Sequence, residues 1–556
     1  MPHRRRRPAT ATIAMAAAAA LTLGLAACSD PGQSPASGAT GAAGSAGSST
    51  ELVLADAYEL GGFNPIGGYG ELGVSPLYDG LMGLKSNGPD KLPDVVPALA
   101  AEAPVSNAEL TSWTVKIREG VTFHDGTPFD VADVVDTYTA VLDPASASDI
   151  AYAFDMVKSV APTPNTPNSV TFELNYPYSQ FPSRLLLAIA PSEKIMKDGK
   201  VIGTAEASSL NREPVGTGPY KLAELTAERA VFTANEAYFK GAPQITKLTT
   251  VYLPDDNARA QRMTAGEFDG TVLPPALAKS FEGKDGYQID APDSADWRGV
   301  SFASGVEFTK SPAVRRALNM AVDRKTIIES VLAGRGVLAE TPVAPVYGDA
   351  FEPNATFPYD VEGAKKILAD EGWAPGADGI LAKGGERAAF TIAYNPSDTV
   401  RRDLSTAFQG EMAKIGIEVK LEGLTFDKIE PRVSELGILL GGGDKPYSLD
   451  TQLHAALHSR MPGAASWDNP SGYATEAMDA ALDSARKVVD DSARAADYRK
   501  VQMEYIQDPS YVMFAFLNHN YVSKKDDTWN RGELTVEPHS HGIGWGPWWN
   551  LGSWTK

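Results

Sequence analysis

Short runs of alternating apolar and polar positions are interleaved with runs of helical spacing along most of the chain. Residues 51–55 read as an opening strand, and residues 113–117 and 169–174 alternate with period two, Gly120 ending the first of these. Further strand-like pieces lie at 231–232 and 249–253. Helices are clearest in the second half. Ser311 and Pro312 fit an N-cap followed by proline at the first helical position, and Val314, Ala317, Leu318 and Ala321 then share one face. Asp323 is placed to cap a second helix ending at Gly334. Asp360 opens another, with Ala364, Ile367 and Leu368 inward and Gly372 as its stop. A longer stripe of Val400, Leu404, Ala407, Phe408, Met412 and Ile415 ends at Gly416 and runs into a strand at 417–421. This helix–turn–strand unit predicts an α/β protein. No repeat at solenoid periods is present.

The amino terminus departs from this pattern. Arg4, Arg5, Arg6 and Arg7 precede an uncharged, Ala- and Leu-rich run from Ala9 to Ala27, which is a secretory signal by its layout. The run ends Leu25, Ala26, Ala27, Cys28, and this resembles the lipobox of bacterial lipoproteins, which implies cleavage before Cys28 and a diacylglycerol on its thiol. A transmembrane anchor and ordinary cleavage are the plainer alternatives. Residues 29–50 hold Ser, Gly and Ala with no large apolar side chain, so they predict a tether with a mean reach of about 25 Å.

The full chain of 556 residues is long enough for several cores, with 43% hydrophobic and 22% charged residues. Its net charge of −20 argues against nucleic acid as a partner. Cys28 is the only cysteine, which excludes intrachain disulfides and cysteine-rich zinc sites.

Motifs for chemistry are sparse. Gly68, Gly70 and Gly73 match GxGxxG, but residues 63–67 separate them from the preceding strand, so a loop is expected and not a dinucleotide site. His454 and His458 stand at i and i+4; zinc needs a third ligand, and the Glu of HExxH is missing, so hydrogen-bonded or solvated histidines are expected here and at His539 and His541. No GxSxG elbow or Walker loop is present, and the carboxylates are too numerous to single out a glycosidase pair. Trp545, Trp548 and Trp549 suit a cleft lining and core packing equally.

Several segments, in order, resemble the large extracytoplasmic solute-binding proteins of peptide and nickel ABC importers. They are residues 74–81, 92–100, 113–134, 214–220, 314–324, 362–368 and 371–373. The densest is the run from Trp113 through His124, Asp125, Gly126, Thr127 and Pro128 to Val134. In physical terms these pieces are turns and caps, with Asp130 or Thr127 placed to cap the helix carrying Val134 and Val135.

The resemblance implies a two-lobed periplasmic-binding-protein-like α/β fold of type II, in its three-domain variant, with a two-stranded hinge. It divides the chain into a signal (1–27), a tether (28–50), a first lobe (51–85, 206–295, 522–556), an inserted domain (86–205) and a second lobe (296–521). It implies capture of a peptide or peptide-like solute between the lobes and delivery to an ABC permease with its ATPase subunits, at the outer face of the cytoplasmic membrane. No catalysis, cofactor or nucleic-acid partner is expected, and the chain is expected to be a monomer. Asp450 falls where peptide-binding relatives place the aspartate that pairs with a ligand amine, although Ser448 and Leu449 replace the usual Asp-Pro. Tyr447 is expected to wall the cleft. Nickel-chelate relatives carry a Pro-Tyr pair in this loop and a histidine downstream, so Pro446, Tyr447 and His458 give a chelate-binding alternative. A secreted hydrolase is the alternative of a different class.

Overall fold

Residues 51–56 form a strand flanked by parallel neighbours on both sides, which is why Leu52, Val53, Leu54 and Ala55 run without a polar break. The computed structural model describes residues 50–443, 447–459, 466–539 and 542–556. Among these, the first sheet has the order Tyr220–Leu225, Arg229–Ala234, Lys247–Tyr252, Glu51–Asp56, Gly270–Leu273, Asn520–Lys524, Tyr287–Asp290. The second has the order Gly336–Leu338, Tyr511–Leu517, Trp297–Ser301, Gly437–Gly442, Ala389–Tyr394, Glu418–Gly423. A smaller antiparallel sheet joins Val105–Ser106, Ser112–Lys116, Ser169–Leu174 and Val157–Pro162.

The strand Tyr511–Leu517 was not evident from period-two alternation. It is buried at every position. Val512 and Phe514 face a core with Phe308, Leu318, Phe408 and Met412, whereas Tyr511, Met513 and Phe516 face another with Leu453, Leu482 and Tyr505. A strand covered on both faces has no polar side, so alternation vanishes.

The expected helices form at Pro312–Met320, Arg324–Val331, Val361–Asp370 and Thr399–Ala413. Asp323, Asp360 and Asp398 cap theirs by accepting from Thr326, Gly363 and Arg401 backbone N–H groups. The Asp323-capped helix stops short of Gly334, because Ala333 already takes a left-handed conformation. Ser311 sits at the N-cap position of Pro312–Met320, but its hydroxyl donates to Glu371 instead of capping. Asp130 caps Val131–Leu142 in a reciprocal box with Asp133, and this helix lays Val134, Tyr138 and Val141 onto Val115, Val170 and Phe172 of the small sheet.

Two of the turns that carry the resemblance are joined by one histidine. His124 Nδ1 accepts from the Gly216 N–H at 3.3 Å, and its Nε2–H donates to the Gly218 carbonyl at 3.0 Å. A Cβ on Gly216 or Gly218 would lie 2.0 or 2.4 Å from the Leu77 backbone, so these glycines serve close approach. Burial pushes the His124 imidazole down to about 4. A depressed imidazole stabilises the fold above its unfolded value of ~6.5 and loses that stabilisation as pH falls toward 4. Urea unfolding at pH 7 and pH 4.5 should therefore show a drop in the parent chain that exceeds the drop in His124→Gln by about 2–3 kcal/mol. Equal drops in the two chains would refute this.

The chain crosses between the two large sheets at residues 291–296 and again at Asn518 and His519. The crossings lie side by side. Leu517 N–H donates to Asp296 O at 2.8 Å, the Ser294 hydroxyl to Leu517 O at 2.5 Å, and the Asn518 amide to Pro292 O at 2.9 Å. No helix among the described residues is long and apolar enough to cross a membrane. Cys28 lies outside the described residues.

Candidate ligand cleft

In both large sheets the parallel strands end toward a common crevice. Asp56, Ala57 and Tyr58 follow Glu51–Asp56; Pro254 and Asp256 follow Lys247–Tyr252; Pro274 and Pro275 follow Gly270–Leu273; Asn395 follows Ala389–Tyr394. Open α/β sheets bind ligands beyond these carboxyl ends. Here the segments wall a cavity of about 850 Å³, closed at its back by the crossover residues Leu517, Asn518, His519 and Asn520.

The wall is rich in guanidinium groups. Arg259 comes from the first-sheet side, and Arg298, Arg335 and Arg401 from the second. Arg259 is held by the carbonyls of Leu253 (2.6 Å), Pro254 (3.0 Å) and Val272 (3.3 Å) and by Asp256. Arg401 donates to Leu439 O at 2.8 Å and to Asp398 at 3.0 Å; burial pushes its guanidinium below its ordinary range. Arg298 pairs with Asp296, and Arg335 with Glu282. The Nε groups of Arg298 and Arg335 are buried with no hydrogen-bond partner among the described residues. Asp56, Asp256 and Asp398 are the acids of the same wall. Burial raises the Asp56 carboxyl, against hydrogen bonds from the N–H groups of Ile543 (2.8 Å) and Ala57 (2.6 Å).

Behind the cavity lies a cluster of buried charges. Asp296 receives Arg298, His519 and His539. His519 Nε2 lies 2.9 Å from Asp296 and Nδ1 lies 2.8 Å from Glu537. Burial pulls the His519 imidazole down, but the two carboxylates outweigh it and hold it up at about 9. Burial likewise opposes the Asp296 charge, yet Arg298, His539 and His519 hold that carboxyl well below its ordinary range. The expectation of a hydrogen-bonded or solvated His539 resolves as hydrogen-bonded; His541 lies outside the described residues.

A second cavity, of about 940 Å³, meets the first at Asp56 and Tyr58. Phe63, Tyr69, Tyr78, Trp545 and Trp548 give it an aromatic lining, and the Gly68–Gly73 stretch forms one rim as an irregular loop, as expected. The tryptophans do both jobs weighed for them. Trp545 and Trp548 are buried against Leu54, Tyr220 and Tyr521 and still face the cavity, as does Trp549.

The sequence-derived binding residues sit elsewhere. Asp450 lies in the helix Leu449–Leu457 and is 1% exposed. Arg486 Nε donates to one of its oxygens at 2.9 Å and the Tyr178 hydroxyl to the other at 3.1 Å. Both carboxylate oxygens are thus engaged within the protein, and the side chain lines neither cavity. Asp450 belongs instead to a row of contacts between this helix region and the small-sheet body. The row includes Arg184 to Thr451 (3.0 Å), Ser448 to Gln180 (2.5 Å), Arg494 to Ser179 (2.6 Å) and Arg486 to Asp155 (3.4 Å). Tyr447 lines neither cavity; its hydroxyl donates to Val536 O at 2.9 Å, and its backbone is left-handed at φ 49°. His458 also lies outside both cavities, and Pro446 lies outside the described residues. The arginines were missed because they are scattered over 143 positions with no fixed spacing; only the fold gathers them.

The sequence profile of the bacterial extracellular solute-binding proteins, family 5, middle part, matches residues 94–460. Protein XP55 of Streptomyces lividans is 37% identical over 502 residues, covering 90% of this chain and 88% of that protein. Two solved structures share the fold. NikZ from Campylobacter jejuni, in complex with Ni(L-His), superposes with a TM-score of 0.79 at 24% identity, covering 92% of this chain and all of that one. The oligopeptide-binding protein AppA from Bacillus subtilis, in complex with a nonapeptide, gives 0.73 at 23% identity, covering 91% and 98%.

Proposed function

The chain belongs to the family 5 bacterial extracellular solute-binding proteins, and from that membership we propose that it captures a carboxylate-bearing solute, a peptide or peptide-like molecule, and hands it to the permease of an ABC importer. The first lobe would comprise 51–85, 206–295 and 522–556, the inserted domain 86–205 and the second lobe 296–521. The observation that carries the reading is the cavity of about 850 Å³ with walls from both large sheets and four arginines around it, in a chain of net charge −20. A cavity walled from two bodies binds best when they are closed, so solute selects the closed state. Arg335, the partly exposed guanidinium of this wall, suits a ligand carboxylate, and the aromatic second cavity suits apolar side chains. A nickel chelate, whose carboxylates make the same demand on the arginines, is the second reading.

Native mass spectrometry of protein purified without refolding separates the two. A spread of small co-purified masses supports peptides, and one discrete mass with a nickel isotope pattern supports a chelate. If nothing co-purifies and neither a peptide mixture nor nickel with histidine raises the melting temperature, the capture reading falls. A ligand at a hundredfold its Kd adds about 2.7 kcal/mol, an easily measured shift.

Capture near a permease also needs retention at the membrane. The lipid on Cys28 and the residue 29–50 tether supply it in this reading. Cys28→Ser protein is expected to bind solute normally but to leave the membrane fraction. Its staying membrane-bound would mean that the run from Ala9 to Ala27 is the anchor.

A further inference from the structure

Sequence spacing offered two imidazoles and no third ligand; the fold supplies one. His454 lies in the helix Leu449–Leu457 and His458 caps that helix, donating its N–H to the His454 carbonyl at 3.0 Å. Their rings stack with centroids 4.4 Å apart and 19° between planes. The adjacent helix Glu476–Lys487 brings Asp483 between them. One of its oxygens, Oδ1, lies 3.4 Å from His454 Nε2 and 3.6 Å from His458 Nε2. A donor atom from each residue lies within 4.8 Å of the other two. We propose that His454, His458 and Asp483 bind one divalent transition-metal ion of the zinc class, with the fourth position open to water.

Two geometric points support the assignment. The first is spacing. His458 Nδ1 lies 2.8 Å from the Ser459 carbonyl, which can only accept, so Nδ1 is taken by that bond and Nε2 is the nitrogen available beside Asp483. A charge-assisted N–H···O contact would close to about 2.7–2.9 Å. The two histidine–carboxylate separations, 3.4 and 3.6 Å, are instead close to the edge of a tetrahedron with bonds of about 2.0–2.1 Å, which is about 3.3–3.4 Å, and the three donors together lie within 4.8 Å of one another. The second point is support behind the ligands. The Ser459 N–H donates to Asp479 at 2.9 Å, which ties the end of the helix carrying both histidines to the helix that carries Asp483. His454 and His458 side chains are 13% and 10% exposed, and Asp483 is 49% exposed, which leaves an entry path. None of the three lines either cleft cavity, so the site is separate from solute capture. Two imidazoles and a carboxylate suit zinc and neighbouring ions over calcium or magnesium.

The test is a calorimetric titration of Zn²⁺ alone into the mature, EDTA-stripped chain. One equivalent is expected to bind. His454→Gln and Asp483→Asn are each expected to weaken it by at least the ~10-fold that losing a supporting residue costs at such sites. Circular dichroism checks that both variants fold. Cobalt(II) gives a second readout, because a tetrahedral nitrogen–oxygen site produces strong visible bands that both variants should lack. No binding to the parent chain, or equal binding in parent and variants, overturns the assignment. Solute capture is expected to survive in both variants, so this result does not depend on the ligand reading.

Discussion

Asp296→Ala is expected to lower the unfolding free energy by about 3–5 kcal/mol, the usual result of removing one partner from a buried ion cluster. Asp296 is fully buried, and its loss takes from Arg298, His519 and His539 the carboxylate that they share. The effect is read from the urea midpoint at constant slope. A loss below 1 kcal/mol would mean that the cluster is not the internal support described above. The cluster also sets a pH dependence. A raised imidazole stabilises the fold below its unfolded value of ~6.5 and ceases to as pH passes its folded value, here about 9 for His519. Stability of the parent chain should thus decline between pH 6.5 and 9 by an amount on the order of 3 kcal/mol, and His519→Gln should remove most of that slope. The Asp296 carboxyl, held low, keeps its contribution down to acid pH, so the two groups act together in full on the mildly acidic side of neutral and in diminishing measure as pH rises toward 9.

Arg486→Met is expected to cost a similar 3–5 kcal/mol, because it strands the Asp450 carboxylate in a site that is 1% exposed. Asp450→Asn combined with Arg486→Met should recover much of that loss, as neither charge then remains unanswered. The same pair tests the role of Asp450. If it contacted a ligand amine, Asp450→Asn would weaken peptides with a free amino terminus far more than acetylated ones. Equal affinities for the two are expected, because the carboxylate faces Arg486 and Tyr178. A large difference between them would restore the amine role and remove the structural one.

The α/β class and the helices were legible because apolar spacing and capping residues are local properties. Asp323, Asp360 and Asp398 each cap within three positions of themselves. What was not legible depends on long-range assembly. Residues 511–517 hide as a strand because both faces are covered. The four cleft arginines share no spacing, and Asp483 stands 25 positions after His458 on another helix. The surroundings of Asp450 were equally hidden, because the guanidinium that pairs with it stands 36 positions later on another helix.

The paired crossings fix more than the back of the cleft. Two segments tied to each other at Asp296, Leu517, Ser294 and Asn518 behave as one flat ribbon, which is soft to bending across its face and stiff to shear within its plane. In the capture reading proposed above, such a ribbon would let the two bodies swing about a single axis, so that release of solute would retrace the route of its capture. Loosening the ribbon should change the rates of opening and closing together, leaving the hold of the closed cleft to the residues that line it.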